Sequence, residues 1–222
     1  MWTPSQIELE ARRLLSEIEK HADRLWPNTP PDRLFMCEPE AACRVLGLKY
    51  LPDSHLGTYG GTATAGLLDR ANKRVMLSSR QSYEAQRFTG AHEVGHYLLH
   101  PAQLMFRDRT LSAHGGPGRP VEEQQADFFA ACFLIPPKLL LKAFRARFPV
   151  NEPLVNTSAI CFNLSIANHQ YLESLPPGSM EFALAVARAE AFNGYRFKSL
   201  ATLFSVSDHA MAIRLQEMGL VN

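Results

Sequence analysis

His92, Glu93 and His96 stand in the run His92-Glu93-Val94-Gly95-His96. On a helix, positions i and i+4 lie one above the other on one face. Two imidazoles so placed can grip one metal ion. Glu93 follows His92 by about 100° of rotation, from the 3.6-residue turn. It leans over the same site without being a ligand. Such a pattern suits metal-assisted hydrolysis, in which two His hold Zn²⁺ and the Glu takes a proton from water. The five residues alone also occur on helices that bind no metal, so the flanking elements must support the reading.

They do. Residues 82–100 read as one helix, closed by Pro101, with Val94, Leu98 and Leu99 on a buried flank. Gly95 in mid-helix costs about 1 kcal/mol relative to Ala. Close approach of backbone or of a ligand at the metal explains it. Catalytic zinc needs three protein ligands and an open position. An all-His site would need Gly at Leu99 and His at Ala102, and neither is there. The other solution is a Glu on a later helix. Residues 121–135 form such a helix, stopped by Pro136-Pro137 and opening Glu122-Glu123-Gln124-Gln125-Ala126-Asp127. These acids either cap the helix or serve the metal. Downstream of His-Glu-x-x-His the second reading is favoured. Glu123 is then the third ligand, and Asp127, one turn on, accepts the N–H of a metal-bound imidazole. Glu122 faces elsewhere, towards the helix N-terminus.

The rest of the chain supplies the frame. Residues 5–26 read as an amphipathic helix with Ser5 and Glu8 as a capping box. A second helix starts at Pro39 and stops at Gly47, followed by a short strand over 48–51. Residues 57–66 are a loop or a weak edge strand. Residues 66–69 and 73–78 form a β-hairpin beside the motif helix. By analogy with metallopeptidases, an extended substrate adds to such a strand's edge. Residues 139–148 are amphipathic and 180–192 an Ala-rich helix, while 151–177 are less regular. Residues 197–220 read as helix, short turn, helix, with Ser207 as N-cap and Gly219 as stop. The domain reading is 1–150 for the metal-binding part and 151–222 for a helical C-terminal region.

Two separated stretches resemble a known family. Arg87-Phe88-Thr89-Gly90-Ala91-His92-Glu93-Val94-Gly95-His96 is followed by Leu98-Leu99-His100. Glu123-Gln124-Gln125-Ala126-Asp127-Phe128-Phe129-Ala130-Ala131 then runs into an apolar stretch ending at Pro136. Together they look like the ImmA/IrrE metallopeptidases, over roughly residues 45–137. The resemblance implies Zn²⁺ on His92, His96 and Glu123, with Glu93 as catalytic base. It also implies an intracellular endopeptidase that cleaves helix-turn-helix repressors. Asp127 stands where many members carry Asn; either accepts an imidazole N–H. The expected fold is α+β, a mostly helical zincin-like core with a small antiparallel sheet and a C-terminal helix-turn-helix-like region.

Composition narrows the partners. The chain has 222 residues, a net charge of +1 and a pI near 7.8. There is no global field to attract nucleic acid or acidic membranes. No apolar run is long enough to span a bilayer, and no signal peptide is visible. Cys37, Cys43, Cys132 and Cys161 are scattered and read as reduced thiols. A cytoplasmic location is expected. The second helix of 197–220 offers Asp208, His209, Arg214 and Gln216, a nearly neutral face that argues against base readout. His114, in a Gly-rich connector, either polarises a scissile carbonyl or its oxyanion or is a solvated loop residue. His100, one turn beyond His96, reads as a helix-end residue or as a group supporting a ligand from behind, rather than as a ligand. The competing reading of the chain is a regulatory module that binds DNA or protein and carries a structural or vestigial metal site. Structural zinc, however, is closed by four protein ligands.

Overall fold

The structure, a computed structural model, describes all residues except 29–30, 60–61, 102–104, 110–118 and 152. The fold is α+β and mostly helical. It divides into two compact units, Met1–Leu134 and Ile135–Asn222. The sequence reading drew its domain line at 150 instead.

In the first unit, helix α1 spans Pro4–Lys20. Its capping box lies just ahead of the Ser5/Glu8 pair expected. The Thr3 hydroxyl accepts from the Gln6 backbone N–H, and the Gln6 side chain accepts from the Thr3 N–H. Pro4, with its φ preset and no N–H to satisfy, suits the first helical position and pulls the start forward. His21 ends α1, and a single turn, α2 (Ala22–Leu25), continues the run. Another single turn, α3 (Arg33–Met36), precedes α4 (Pro39–Leu46). Gly47 closes α4 at φ +72°, where a side chain would be strained.

Strands β1 (Lys49–Ser54), β2 (Thr58–Tyr59), β3 (Thr62–Asp69) and β4 (Arg74–Ser78) follow. Helix α5 (Tyr83–Leu99), strand β5 (Met105–Arg109) and helix α6 (Val121–Leu134) complete the unit. The sheet is mixed rather than antiparallel. β3 pairs antiparallel with β2, β4 and β5, but β1 runs parallel to β4, Lys49 opposite Arg74. A hairpin constrains only neighbours in sequence, and β1 and β4 are not neighbours. The expected hairpin forms, with Gly66 opposite Leu77 and Asp69 opposite Arg74. Both of its strands are paired on both sides, β3 by β4 and β5, β4 by β3 and β1. Where they are so paired they offer no edge to an added strand, which corrects the analogy drawn from sequence.

Helix α5 is anchored at each end. Ser82 caps its N-terminus by accepting from the Ala85 N–H. At the C-terminus the Arg70 guanidinium, from the β3–β4 turn, donates to the carbonyls of His96, Tyr97 and His100 at 2.6, 3.0 and 3.0 Å. A cation there meets the negative end of the helix dipole. Buried Arg87 clasps Glu38 through Nε (3.1 Å) and Nη2 (2.9 Å) and donates to the Cys37 carbonyl. The family-like Arg87 is therefore a tie from α5 to the α3–α4 link.

The second unit holds α7 (Pro137–Arg147), α8 (Ser158–Leu164), α9 (His169–Ser174) and α10 (Met180–Ala187). Strands β6 (Ala191–Phe192) and β7 (Tyr195–Arg196) form a hairpin before α11 (Leu200–Phe204) and α12 (Asp208–Glu217). The helix expected over 180–192 stops early. Asn193 and Gly194 both take positive φ, +48° and +79°, the turn that joins two-residue hairpins. That Asn-Gly signal overrides the Ala-rich pattern. Phe148 packs against the rings of Phe144 and Phe192 at 5.0 and 5.3 Å. Ser207 caps α12 and Gly219 follows it at φ +63°, as expected. On α12, Arg214 is buried and pairs with Glu217, and Gln216 donates to the Gly178 carbonyl. Two of its four candidate base-reading residues are thus committed inside the unit. No helix among the described residues is long and apolar enough to cross a membrane.

Candidate metal centre

Helices α5 and α6 can approach closely because Gly95 has no side chain. A Cβ there would lie 3.1 Å from the Phe129 ring and 3.2 Å from the Ala126 Cα. Ala126 sits between Glu123 and Asp127, so this contact sets the height at which α6 presents both acids to α5. A second close approach comes from the sheet. A Cβ at Gly66 would lie 2.5 Å from Thr89 Cγ2 and 2.7 Å from Glu93 Oε1. β3 thus passes directly against the fully buried Glu93 side chain.

The result brings His92, His96 and Glu123 together, with one ligand atom from each within 4.8 Å of the others. The two Nε2 atoms are 2.9 Å apart. Glu123 Oε2 lies 3.4 Å from His92 Nε2, and Oε1 lies 3.3 Å from His96 Nε2. Both histidines are buried. Burial pushes the His96 imidazolium down to about 4, helped by His92 and His100, so at pH 7 its ring is neutral and carries one proton. Burial raises the Glu123 carboxyl, but its contacts with His92 and His96 outweigh this and hold it below the usual range. It is therefore ionised.

Proton placement tests whether a metal fits. His92 Nδ1 faces Asp127 Oδ1 at 2.9 Å. A carboxylate only accepts, so this nitrogen donates and a neutral ring turns its Nε2 lone pair to the cluster. The same orientation at His96 would put two lone pairs 2.9 Å apart beside an anionic carboxylate. Such a trio repels itself unless a cation, a proton or a metal ion, lies between its members; the low Glu123 carboxyl reports the proton in that place. Two imidazoles and one carboxylate are the donor types that a divalent transition metal takes. The residues present fit a metal.

Of the residues singled out from sequence, His92, His96, Glu123 and Asp127 converge. Glu93 is buried on the same helix, beneath β3. Glu122 is exposed. His114 lies outside the described residues. Three further side chains join them, of which Arg119 and Gln125 had no sequence signal. Arg119 pairs with Asp127 Oδ2 at 2.6 Å and reaches Glu123 Oε2 at 3.5 Å. His100 Nδ1 meets His96 Nδ1 at 3.1 Å, and Gln125 Oε1 meets His100 Nε2 at 3.0 Å. The spacing of His100, four after His96, was the available clue; its partner Gln125 comes from α6.

A buried pair of histidines on one helix, faced by carboxylates from a second, is an arrangement that could hold a metal ion. Residues 56–165 match the family model Peptidase_M78, the IrrE N-terminal-like domain, and that stretch is a domain of this metallopeptidase family. No curated protein matches the chain.

Proposed function

We propose that this protein is a zinc-dependent endopeptidase, with His92, His96 and Glu123 as the metal ligands and Glu93 as the general base. The observation that carries the reading is the converging trio of donors, two buried imidazoles and a half-buried carboxylate, whose lone pairs call for a cation. Zn²⁺ bound there supplies Lewis-acid chemistry, acidifying water and polarising a peptide carbonyl. The Glu93 carboxylate takes the proton from the attacking water and hands it to the leaving amine. Asp127 and Arg119 hold the His92 ring and the carboxylates in place. Among the described residues the cluster has three donors, one fewer than a closed structural zinc site, which favours catalysis over a purely structural metal. The resemblance to ImmA/IrrE proteins supports an intracellular substrate, a helix-turn-helix repressor.

Glu93→Gln tests the base. The variant is expected to keep one Zn²⁺ per chain by elemental analysis and to lose about 10²–10⁴-fold in peptide cleavage. Wild-type cleavage rates in this variant would overturn the role. Co-expressing candidate repressors with the wild type and with Glu93→Gln tests the substrate. A repressor that disappears only with the wild type is the expected result.

A further inference from the structure

The line of polar groups behind His96 ends at a group that can only accept. Gln125 Nε2 donates to the Trp2 carbonyl at 3.1 Å. That fixes the amide's orientation, because a carbonyl oxygen offers no proton. Gln125 Oε1 therefore points to His100 Nε2, 3.0 Å away, and that nitrogen must donate. A neutral His100 donating from Nε2 has only a lone pair at Nδ1. Its Nδ1 faces His96 Nδ1 at 3.1 Å, so the proton between them belongs to His96. Trp2 is itself pinned, since its indole Nε1 donates to the Leu99 carbonyl at 2.8 Å. The end of the relay is thus attached to the turn of α5 that carries His96.

We infer that the Trp2 carbonyl, Gln125 and His100 form a one-way hydrogen-bond relay that holds His96 as its Nδ1–H tautomer and so presents its Nε2 lone pair to a divalent cation. His100 and Gln125 are positioning residues that act through His96. The inference rests on the metal-site reading above. It adds a prediction that the ligand set does not make: metal affinity depends on an α6 amide that never touches the metal. It also separates the two histidines. His92 is oriented by an anion, and His96 by a neutral chain whose direction a backbone carbonyl sets.

The discriminating pair is Gln125→Leu and Gln125→Glu. Leucine removes the acceptor, so His100 is no longer held as a donor at Nε2. Glutamate keeps an acceptor for His100 but cannot donate to the Trp2 carbonyl. If Gln125 merely tethered Trp2, both variants would fail alike. The relay predicts that His100→Leu and Gln125→Leu weaken Zn²⁺ binding about 10–100-fold, and that Gln125→Glu stays within about threefold of wild type. Zn²⁺ affinity is read by competition with a chromophoric chelator at pH 8. Histidine side-chain ¹⁵N spectra of the metal-free wild type provide a readout without mutation, and His96 should carry its proton on Nδ1. A His96 proton on Nε2, or unchanged affinity in His100→Leu, overturns the relay. Equal losses in Gln125→Leu and Gln125→Glu also overturn it. A wild type that binds no Zn²⁺ would instead remove the metal-site reading, while wild-type binding with unaffected variants removes the relay alone.

Discussion

His92 and His96 are the same residue type one turn apart, yet their back faces differ. Asp127 sits behind His92 and carries a second load, the Arg119 guanidinium. Arg119 also approaches Glu123, so one cation spans the two acids that α6 turns to the site. This arrangement keeps Asp127 turned so that Oδ1 meets the His92 N–H. Asp127→Ala removes the acceptor and releases Arg119. Its Zn²⁺ affinity is expected to fall about 10–100-fold, with cleavage falling in step at limiting metal. Asp127→Asn keeps an oxygen for His92 and loses only the charge, so it should bind more tightly than the alanine variant. Chelator competition measures both. Alanine binding as tight as wild type would mean that the ring is oriented by something else. The sequence made Asp127 legible, since it lies one turn beyond Glu123 on a single helix. Arg119 was not legible, because the Gly- and Pro-rich sequence ahead of it carries no periodicity.

Helices α5 and α6 form the site as a pair, and the glycine at their contact decides how near they come. Gly95→Ala gains about 1 kcal/mol of helix propensity. Against this stands overpacking, which costs about 1–3 kcal/mol in a well-filled interior. One of the atoms met is a backbone Cα of α6, which cannot swing aside as a side-chain tip can. The helices must part by a few tenths of an ångström, and Glu123 moves with them. The expected outcome is a net loss of up to about 2 kcal/mol in urea unfolding, together with weaker Zn²⁺ binding. A more stable variant with unchanged affinity would contradict the close approach. Elements bounded by local chemistry were legible in the sequence. Ser82 and Pro101 frame α5, and Pro39 and Gly47 frame α4. What depends on contact between elements was not. The parallel β1–β4 pairing, the passage of β3 at Gly66 against Glu93 and the bond from Gln125 to Trp2, 123 residues away, leave no local trace. The β6–β7 hairpin is a different case. Its Asn-Gly turn is visible in the sequence, but the Ala-rich run before it dominates the pattern.

The four cysteines, all buried and reduced, report on the molecule as a whole. Cys37 and Cys43 lie in the first unit, on either side of the Pro39 helix start. Burial pushes both thiols up to about 12. At pH 8 such a thiol is a thiolate only about one part in ten thousand of the time, against roughly a tenth or more in an unfolded chain. Alkylation of either should therefore require the unit to open. The sign for stability follows. Each group's native pKa is raised above its unfolded value, so its contribution is intact below about 9 and is lost as pH rises towards about 12. Metal acts in the opposite sense. A ligand that binds only the folded unit at 100 times its Kd adds about 2.7 kcal/mol. Where reclosing outpaces labelling, that gain slows alkylation of Cys37 and Cys43 about a hundredfold. Iodoacetamide labelling followed by peptide mass spectrometry, with and without Zn²⁺, measures this. Rapid labelling of Cys43 in the folded, metal-free protein would contradict its place in the core. Slow labelling that Zn²⁺ leaves unchanged would mean either that the metal does not bind the folded unit or that the thiols become exposed by a local opening that leaves the metal centre intact. His92→Ala separates the two. If it abolishes stoichiometric Zn²⁺ binding while wild-type labelling is indifferent to metal, the opening is local to α4 and the link ahead of it, where Arg87 and Glu38 make the tie to α5.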